Sequence, residues 1–153
     1  MRAPTTGAIA AIAFCAAGAL HAQAGAAATA AAVRAADISF ARHAQEVPVA
    51  RAFRETMDPV DGLQFGGGAP VRGADAIYKA MGGDFAAAGR LDWTPVDAWG
   101  SASGDLGVTT GTWKAWILGG SKPPLTGRDV TVWRKDAKGV WKALIDIGNP
   151  DPK

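Results

Sequence analysis

The chain has 153 residues, with 16 Lys or Arg against 14 Asp or Glu, two His and one Cys. A formal charge of +2 with the signs interspersed offers no basic face for nucleic acid or an anionic membrane, and a single cysteine excludes an internal disulfide or a cysteine metal cluster. The length suits one domain with a real core and is too short for two.

The first residues follow the order of an export signal. Arg2 precedes a run from Gly7 to Leu20 in which every residue is apolar or small, and Ala22-Gln23-Ala24 supplies a small-x-small cleavage pattern. The run falls short of the ~20 residues a membrane-spanning helix needs. Residues 1–24 are therefore expected to be a cleavable signal peptide, leaving a periplasmic or secreted protein without a membrane anchor. Phe14 stands where lipid attachment at Cys15 would need a small residue. Cleavage after Ala24 removes the one cysteine, so the mature core must hold by packing.

Residues 25–36 are almost all alanine, with helix propensity but no polar face to set against a core. They are expected to form a flexible tail, with order beginning at Asp37 as an N-cap. Phe40, Ala44 and Val47 follow at helical spacing until Pro48 interrupts. A second helix sets Val49, Ala52, Phe53 and Met57 against Arg51, Arg54 and Glu55, and Asp58-Pro59 ends it. A short strand at 62–65, a loop from Gly66 to Pro70 and a third helix from Ala74 to Met81 come next. Beyond Gly89 the period turns from helical to alternating. Strands are expected at Leu91–Ala102, Leu106–Leu118, Arg128–Lys135 and Val140–Ile147, separated by turns at 103–105 and 136–139 and a Gly/Pro-rich loop at 119–127. Helices followed by a meander of strands is an α+β order.

Several segments together resemble a known family: Pro70-Val71-Arg72-Gly73-Ala74-Asp75-Ala76-Ile77, then Ser101-Ala102-Ser103-Gly104-Asp105-Leu106-Gly107 running into Gly111-Thr112-Trp113. Val132-Trp133-Arg134-Lys135, Gly139-Val140-Trp141-Lys142 and Asp146-Ile147-Gly148-Asn149-Pro150 close the pattern. The chain from about Asp37 to Pro150 is similar to the SnoaL-like, ketosteroid-isomerase-like branch of the nuclear transport factor 2 superfamily, above all to its exported members of unknown function. The resemblance implies an α+β, cystatin-like cone over residues 37–150, with N-terminal helices packed in a curved antiparallel sheet, a pocket at the wide end, and often a homodimer through the sheet. It does not imply one activity, because the same cone hosts isomerases, dehydratases, cyclases, assembly modules and binding proteins. The isomerases' Asp base with its Tyr and protonated-Asp clamp does not carry over residue by residue, and Tyr78 is the only tyrosine.

All six tryptophans lie at or after position 93. By parity Trp93 and Trp99 share a face of their strand, while Trp113 and Trp116 point to opposite faces. They either fill core and interface or line an apolar cavity. Asp97 falls on the face of Trp93 and Trp99, where it is either a general base among aromatics or an exposed edge charge. Asp146 lies opposite Asp129 in one register of the last hairpin and opposite Thr131 in another; only the first places two carboxylates face to face. His43 is the only histidine beyond the signal segment. Gly66-Gly67-Gly68 lacks the Lys-Ser/Thr of a phosphate loop and reads as a lip over the pocket. Neither a metal site nor a cofactor motif is found.

The expected function is binding of a small apolar or aromatic molecule between helices and sheet. Phe53, Phe65, Tyr78, Trp93, Trp113 and Trp133 form the candidate lining, with Asp97 or Asp146 as the polar group. One alternative is an isomerase or dehydratase with a buried Asp as base, its oxyanion steadied by Tyr78 or an indole; another is a non-catalytic homodimeric assembly module. Neither a nucleic-acid partner nor a membrane partner after cleavage is expected.

Overall fold

The computed structural model describes residues 7–66, 68–85, 89–116 and 123–152, with residues 7–20 and 85 described by backbone alone. In chain order the elements are α1 (Gly7–Glu46), α2 (Val49–Thr56), β1 (Leu63–Phe65), β2 (Val71–Arg72), α3 (Ala74–Ala80), a 3-10 turn (Gly83–Phe85), β3 (Arg90–Gly100), β4 (Leu106–Trp116), β5 (Leu125–Lys135) and β6 (Trp141–Pro150). The expected strand end at Leu118, part of the 119–127 loop, and Gly67 lie outside the described residues. Among those residues no helix is long and apolar enough to cross a membrane.

Six strands form one sheet in the order β2-β1-β6-β5-β4-β3. All neighbours are antiparallel except β1 and β6, whose parallel pairing runs from Leu63 opposite Ile145 to Phe65 opposite Ile147. The α+β architecture is as expected, with the helices packed on one face of the sheet. Two strand boundaries differ from the reading of the turn signals. β5 starts at Leu125, inside the expected loop, because Leu125 pairs with Ala115, and β6 continues through Gly148 to Pro150, which pairs with Gly127. Glycine and proline are poor strand formers, but here they sit opposite ready-made partners.

The expected flexible tail at 25–36 is corrected. These residues are helical and continuous with the rest of α1, Thr29 and Val33 are buried, and Asp37 is a mid-helix residue that caps nothing. What orders an alanine-rich helix is close approach. A Cβ at Gly100 would collide with Thr29 and Ala30, and one at Gly107 would stand 2.6 Å from Val33 Cγ1. Two glycines side by side in the β3–β4 register (Gly100 opposite Gly107) thus make a trough into which small helix residues settle. Helix packing supplies what the missing polar face could not.

The sheet carries two bulges, one extra residue at Val96 in β3 and one at Leu144 in β6. Each reverses the side-chain alternation beyond it. Arg34 of α1 donates to the carbonyls of Val96 (2.6 Å) and Pro95 (3.4 Å), so the irregular backbone of the first bulge is paired from the helix. At the other end of the helical layer Asp58 Oδ1 accepts from the N–H groups of Val60 and Asp61, and Arg134 of β5 donates to its Oδ2 at 2.8 Å. The core between these two ends contains Phe40, Phe53, Met57, Ile77 and Trp133. Overpacking a well-filled contact costs about 1–3 kcal/mol, so Gly100→Val should lower the urea midpoint of unfolding by a loss in that range. An unchanged midpoint would show that α1 does not rest on Gly100.

Candidate functional site

One cavity of about 240 Å³ opens between the helices and the inner face of the sheet. Its back wall is an edge-to-face cluster: the ring centroid of Phe40 (α1) lies 4.9 Å from Phe53 (α2) and 4.7 Å from Trp93 (β3), and Phe53 lies 6.2 Å from Trp93. Phe65 of β1 and Trp113 of β4 flank the opening with Met81, Leu91 and Ala115. Gln64 Nε2 reaches Met81 Sδ at 3.7 Å, and Gly66 of the expected lip lines the rim. Trp113 donates Nε1 to the Arg128 carbonyl at 3.1 Å. Its ring fills the space left by a missing side chain at Gly127, where a Cβ would collide with it.

The polar wall comes from β5 and β6. Thr131 pairs with Asp146, so of the two registers considered for the hairpin the structure has the one in which Asp146 faces Thr131. Thr131 Oγ1 donates to Asp146 Oδ2 at 3.1 Å. Asp129, two residues earlier on the same face, pairs with Gly111 on one side and Gly148 on the other, which leaves it without side-chain neighbours across the strands. A Cβ at Gly111 would stand 2.8 Å from Asp129 Oδ1. The two carboxyls are therefore diagonal neighbours on the inner face, and a third, Asp37 of α1, approaches from the helical side.

Asp37 is fully buried. Trp93 Nε1 donates to its Oδ1 at 2.8 Å, while its Oδ2, like Oδ1 of Asp129, is buried without a hydrogen-bond partner. Taking these groups out of water favours their neutral forms. Burial raises Asp37, against hydrogen bonds from Thr109 and Trp93. Burial and then the charge of Asp37 push Asp129 up to about 6. Asp146 keeps an edge toward the cavity but is otherwise enclosed; burial pushes it up to about 7 despite the Thr131 bond, with Asp129 and Asp37 adding repulsion. Near neutral pH the cluster shares protons that belong to it as a unit.

Of the candidate lining, Phe53, Phe65, Trp93 and Trp113 surround this cavity, and Asp146 stands in its wall. Three candidates lie elsewhere. Trp133 is fully buried behind the cavity and donates Nε1 to Thr109 Oγ1 at 2.9 Å, so it belongs to the core. Tyr78 lies away from the cavity: its ring is under Arg54, with the guanidinium 5.1 Å from the centroid, and its hydroxyl accepts the Asp84 N–H at 3.2 Å. Asp97 is exposed, as is Trp99 at 55%, because the bulge at Val96 turns both to the outer face and breaks the parity that grouped them with Trp93. His43 is also remote; its Nε2 pairs with Glu55 Oε2 at 2.5 Å in a separate groove beside Trp141. Asp37, expected as a cap and absent from the candidate site residues, stands beside this wall. Its signal was the spacing Thr29, Val33, Asp37, Phe40, a buried helical stripe running back through the alanine segment.

No protein-family model matches the chain, and no curated protein does. Among solved structures it is similar to a ketosteroid isomerase-like protein from Erwinia carotovora atroseptica, with TM-score 0.64 and 16% identity over 81% of this chain and 97% of that one. A protein of Pseudomonas putida of the nuclear transport factor 2-like kind and unknown function aligns with TM-score 0.63 and 12% identity, covering 83% and 89% of the two chains. A Mycobacterium tuberculosis protein in complex with estradiol-17beta-hemisuccinate aligns with TM-score 0.53 and 19% identity, covering 74% and 88%.

The acid cluster makes a prediction about stability. Asp129 and Asp146 bind protons more tightly folded than unfolded, where a carboxyl titrates near 4, so the folded state holds more protons between about pH 4 and 7 and stability falls as pH rises through that window. Asp84, Asp105 and Asp136, held low by hydrogen bonds from Arg51, Ser103 and the Val140 N–H respectively, act in the opposite sense only at more acid pH. The melting temperature should therefore decline from about pH 5 to pH 8, and Asp146→Asn should flatten the decline and gain about 2–4 kcal/mol at the alkaline end. A wild-type melting temperature that is level or rising over the same range would mean the carboxyls are not desolvated.

Proposed function

Proceeding from a ketosteroid-isomerase-like, nuclear transport factor 2-like fold, we propose that the protein binds a small, largely apolar molecule in this cavity, its polar group meeting Asp129 and Asp146. The observation that carries the reading is a single cavity lined by five aromatic rings and two inward carboxyls. Apolar walls with a few convergent polar groups are the ordinary composition of a small-molecule site. The Mycobacterium tuberculosis structure supports it, since that protein with the same fold holds estradiol-17beta-hemisuccinate, a small molecule with an apolar steroid body.

A second reading, an isomerase that moves a proton beside a carbonyl, is favoured by Asp146, whose pKa of about 7 suits a general base at neutral pH. The base would take a proton from the carbon between a ketone and a double bond and return it at the far end of the conjugated system. The indole N–H groups beside the cavity are occupied: Trp93 Nε1 by Asp37 and Trp113 Nε1 by the Arg128 carbonyl. The Thr131 hydroxyl already donates to Asp146, so a protonated Asp129 is the candidate donor. A β,γ-unsaturated cyclic ketone should be conjugated, read by ultraviolet absorbance, at a rate that falls about a hundredfold in Asp146→Asn. A rate that Asp146→Asn leaves unchanged rules this reading out.

The proposal extends to export and dimerisation. The order of charged, apolar and small residues before Gly25 supports cleavage after Ala24. Trp99, Leu106 and Val130, exposed on the outer face of the sheet, support pairing through that face. One native mass spectrum of protein recovered from an expressing bacterium reads all three parts. We expect a chain beginning at Gly25, a dimer that Trp99→Lys converts to monomer, and a bound organic molecule that Trp113→Ala loses and Asp97→Asn keeps. A wild-type protein that carries nothing and takes up nothing from a metabolite extract would sink the pocket reading and favour the assembly module.

A further inference from the structure

The cavity has a one-sided charge. Its wall holds Asp129 and Asp146, Asp37 stands behind them, and no Lys, Arg or His is among the described residues that line it. Nor does any cation among those residues act on the two wall carboxyls: apart from burial and hydrogen bonds, the influences on Asp146 are Asp129 and Asp37, and the one on Asp129 is Asp37. Buried charge of one sign is unstable unless it is neutralised or paired. Elsewhere among the described residues several carboxylates pair with arginine, as in Arg134 with Asp58 and Asp61, Arg54 with Asp75 and Arg90 with Asp92. The cavity carboxyls have no such cation, and Asp37 Oδ2 and Asp129 Oδ1 are buried without a hydrogen-bond partner.

A metal ion does not answer this need. Among the described residues no three His, Cys, Asp or Glu side chains converge as a metal site requires. The rest of the wall is aromatic. Ring faces attract a cation that has shed its water, and they do so for ammonium groups carrying carbon substituents. Aromatic rings and uncompensated carboxyls lining one cavity are complementary to the same chemistry.

We propose that the cavity selects an organic cation, a protonated or quaternary amine on an apolar or aromatic body, whose charge sits by Asp129 and Asp146 and whose body fills the space among Phe40, Phe53, Trp93 and Trp113. This rests on the pocket reading above and narrows its ligand class. The cation supplies the charge that the protein withholds, and with it bound the cluster releases protons it otherwise keeps. Binding of a cation that cannot itself titrate therefore strengthens as pH rises through the range in which Asp129 and Asp146 ionise, with Asp37 and Thr131 the other polar groups facing them.

The test compares three benzyl compounds on the full-length chain: benzyltrimethylammonium, its uncharged carbon isostere neopentylbenzene, and phenylacetate as the anion. By calorimetry and ligand-observed nuclear magnetic resonance at about pH 8 the cation should bind about tenfold or more tighter than the isostere and the anion not at all. Its affinity should fall about tenfold toward pH 5, with no such change for the isostere. Asp146→Asn and, separately, Asp129→Asn should remove the preference while leaving the isostere bound. If the isostere binds as well as the cation, or if the preference survives both substitutions, the cation proposal is overturned and the apolar pocket stands. If none of the three binds, the pocket reading falls with it. The pH series on the unaltered chain decides the matter even where a variant fails to fold.

Discussion

The hydrogen bond from Trp93 to Asp37 is the contact on which the other features turn. It joins the longest helix to an edge strand, tying the half-buried Trp93 indole to the fully buried Asp37 carboxyl. It holds the Trp93 ring where Phe40 and Phe53 meet it edge to face, so one polar contact sets the back wall of the cavity. It also brings a carboxyl of the helical layer up to the two carboxyls of the sheet. Without it, the buried Asp37 carboxyl would keep only the Thr109 hydroxyl as a donor, and breaking such a pair costs more than never having made it.

The polar end of the cavity is built by subtraction. Asp129 stands between Gly111 and Gly148, so no side chain shields it and no donor reaches its Oδ1. Gly127 gives the same freedom to Trp113, whose ring lies where a Cβ would be. Glycine in a strand weakens it by giving up a packed side chain and a restricted backbone. Three glycines on the inner face of β4, β5 and β6 mark the place where the sheet yields packing to open space.

Such an arrangement works against stability. Residues that would fill the cavity or neutralise its acids would stabilise the fold, and the chain has the cations to do so, since it sets Arg51, Arg54, Arg90 and Arg134 against acids on its surface. A desolvated acid group whose pKa is moved toward neutrality, in a cleft, is the ordinary sign of a functional site. The opposite end of the domain has the pattern of pure structure: Trp133 is satisfied by Thr109, and Asp58 by Arg134 and two backbone N–H groups.

By itself the sequence determined what depends on neighbours along the chain: the helices after Asp37, the four long strands, the α+β order, and four of the aromatic residues that wall the cavity. Periodicity encodes these because a helix or a strand has one repeat and every residue reports on it. What tertiary structure alone decided is where that repeat fails. A bulge at Val96 sent Asp97 and Trp99 outward, and pairing across strands gave Asp129 two glycine neighbours distant in sequence. An alanine segment without a polar face became ordered because Gly100 and Gly107 let it lie against the sheet. Tyr78 went to Arg54 and Asp84, and Asp37 left its apparent role as a cap for Trp93, because a side chain's partner is set by which elements meet in space.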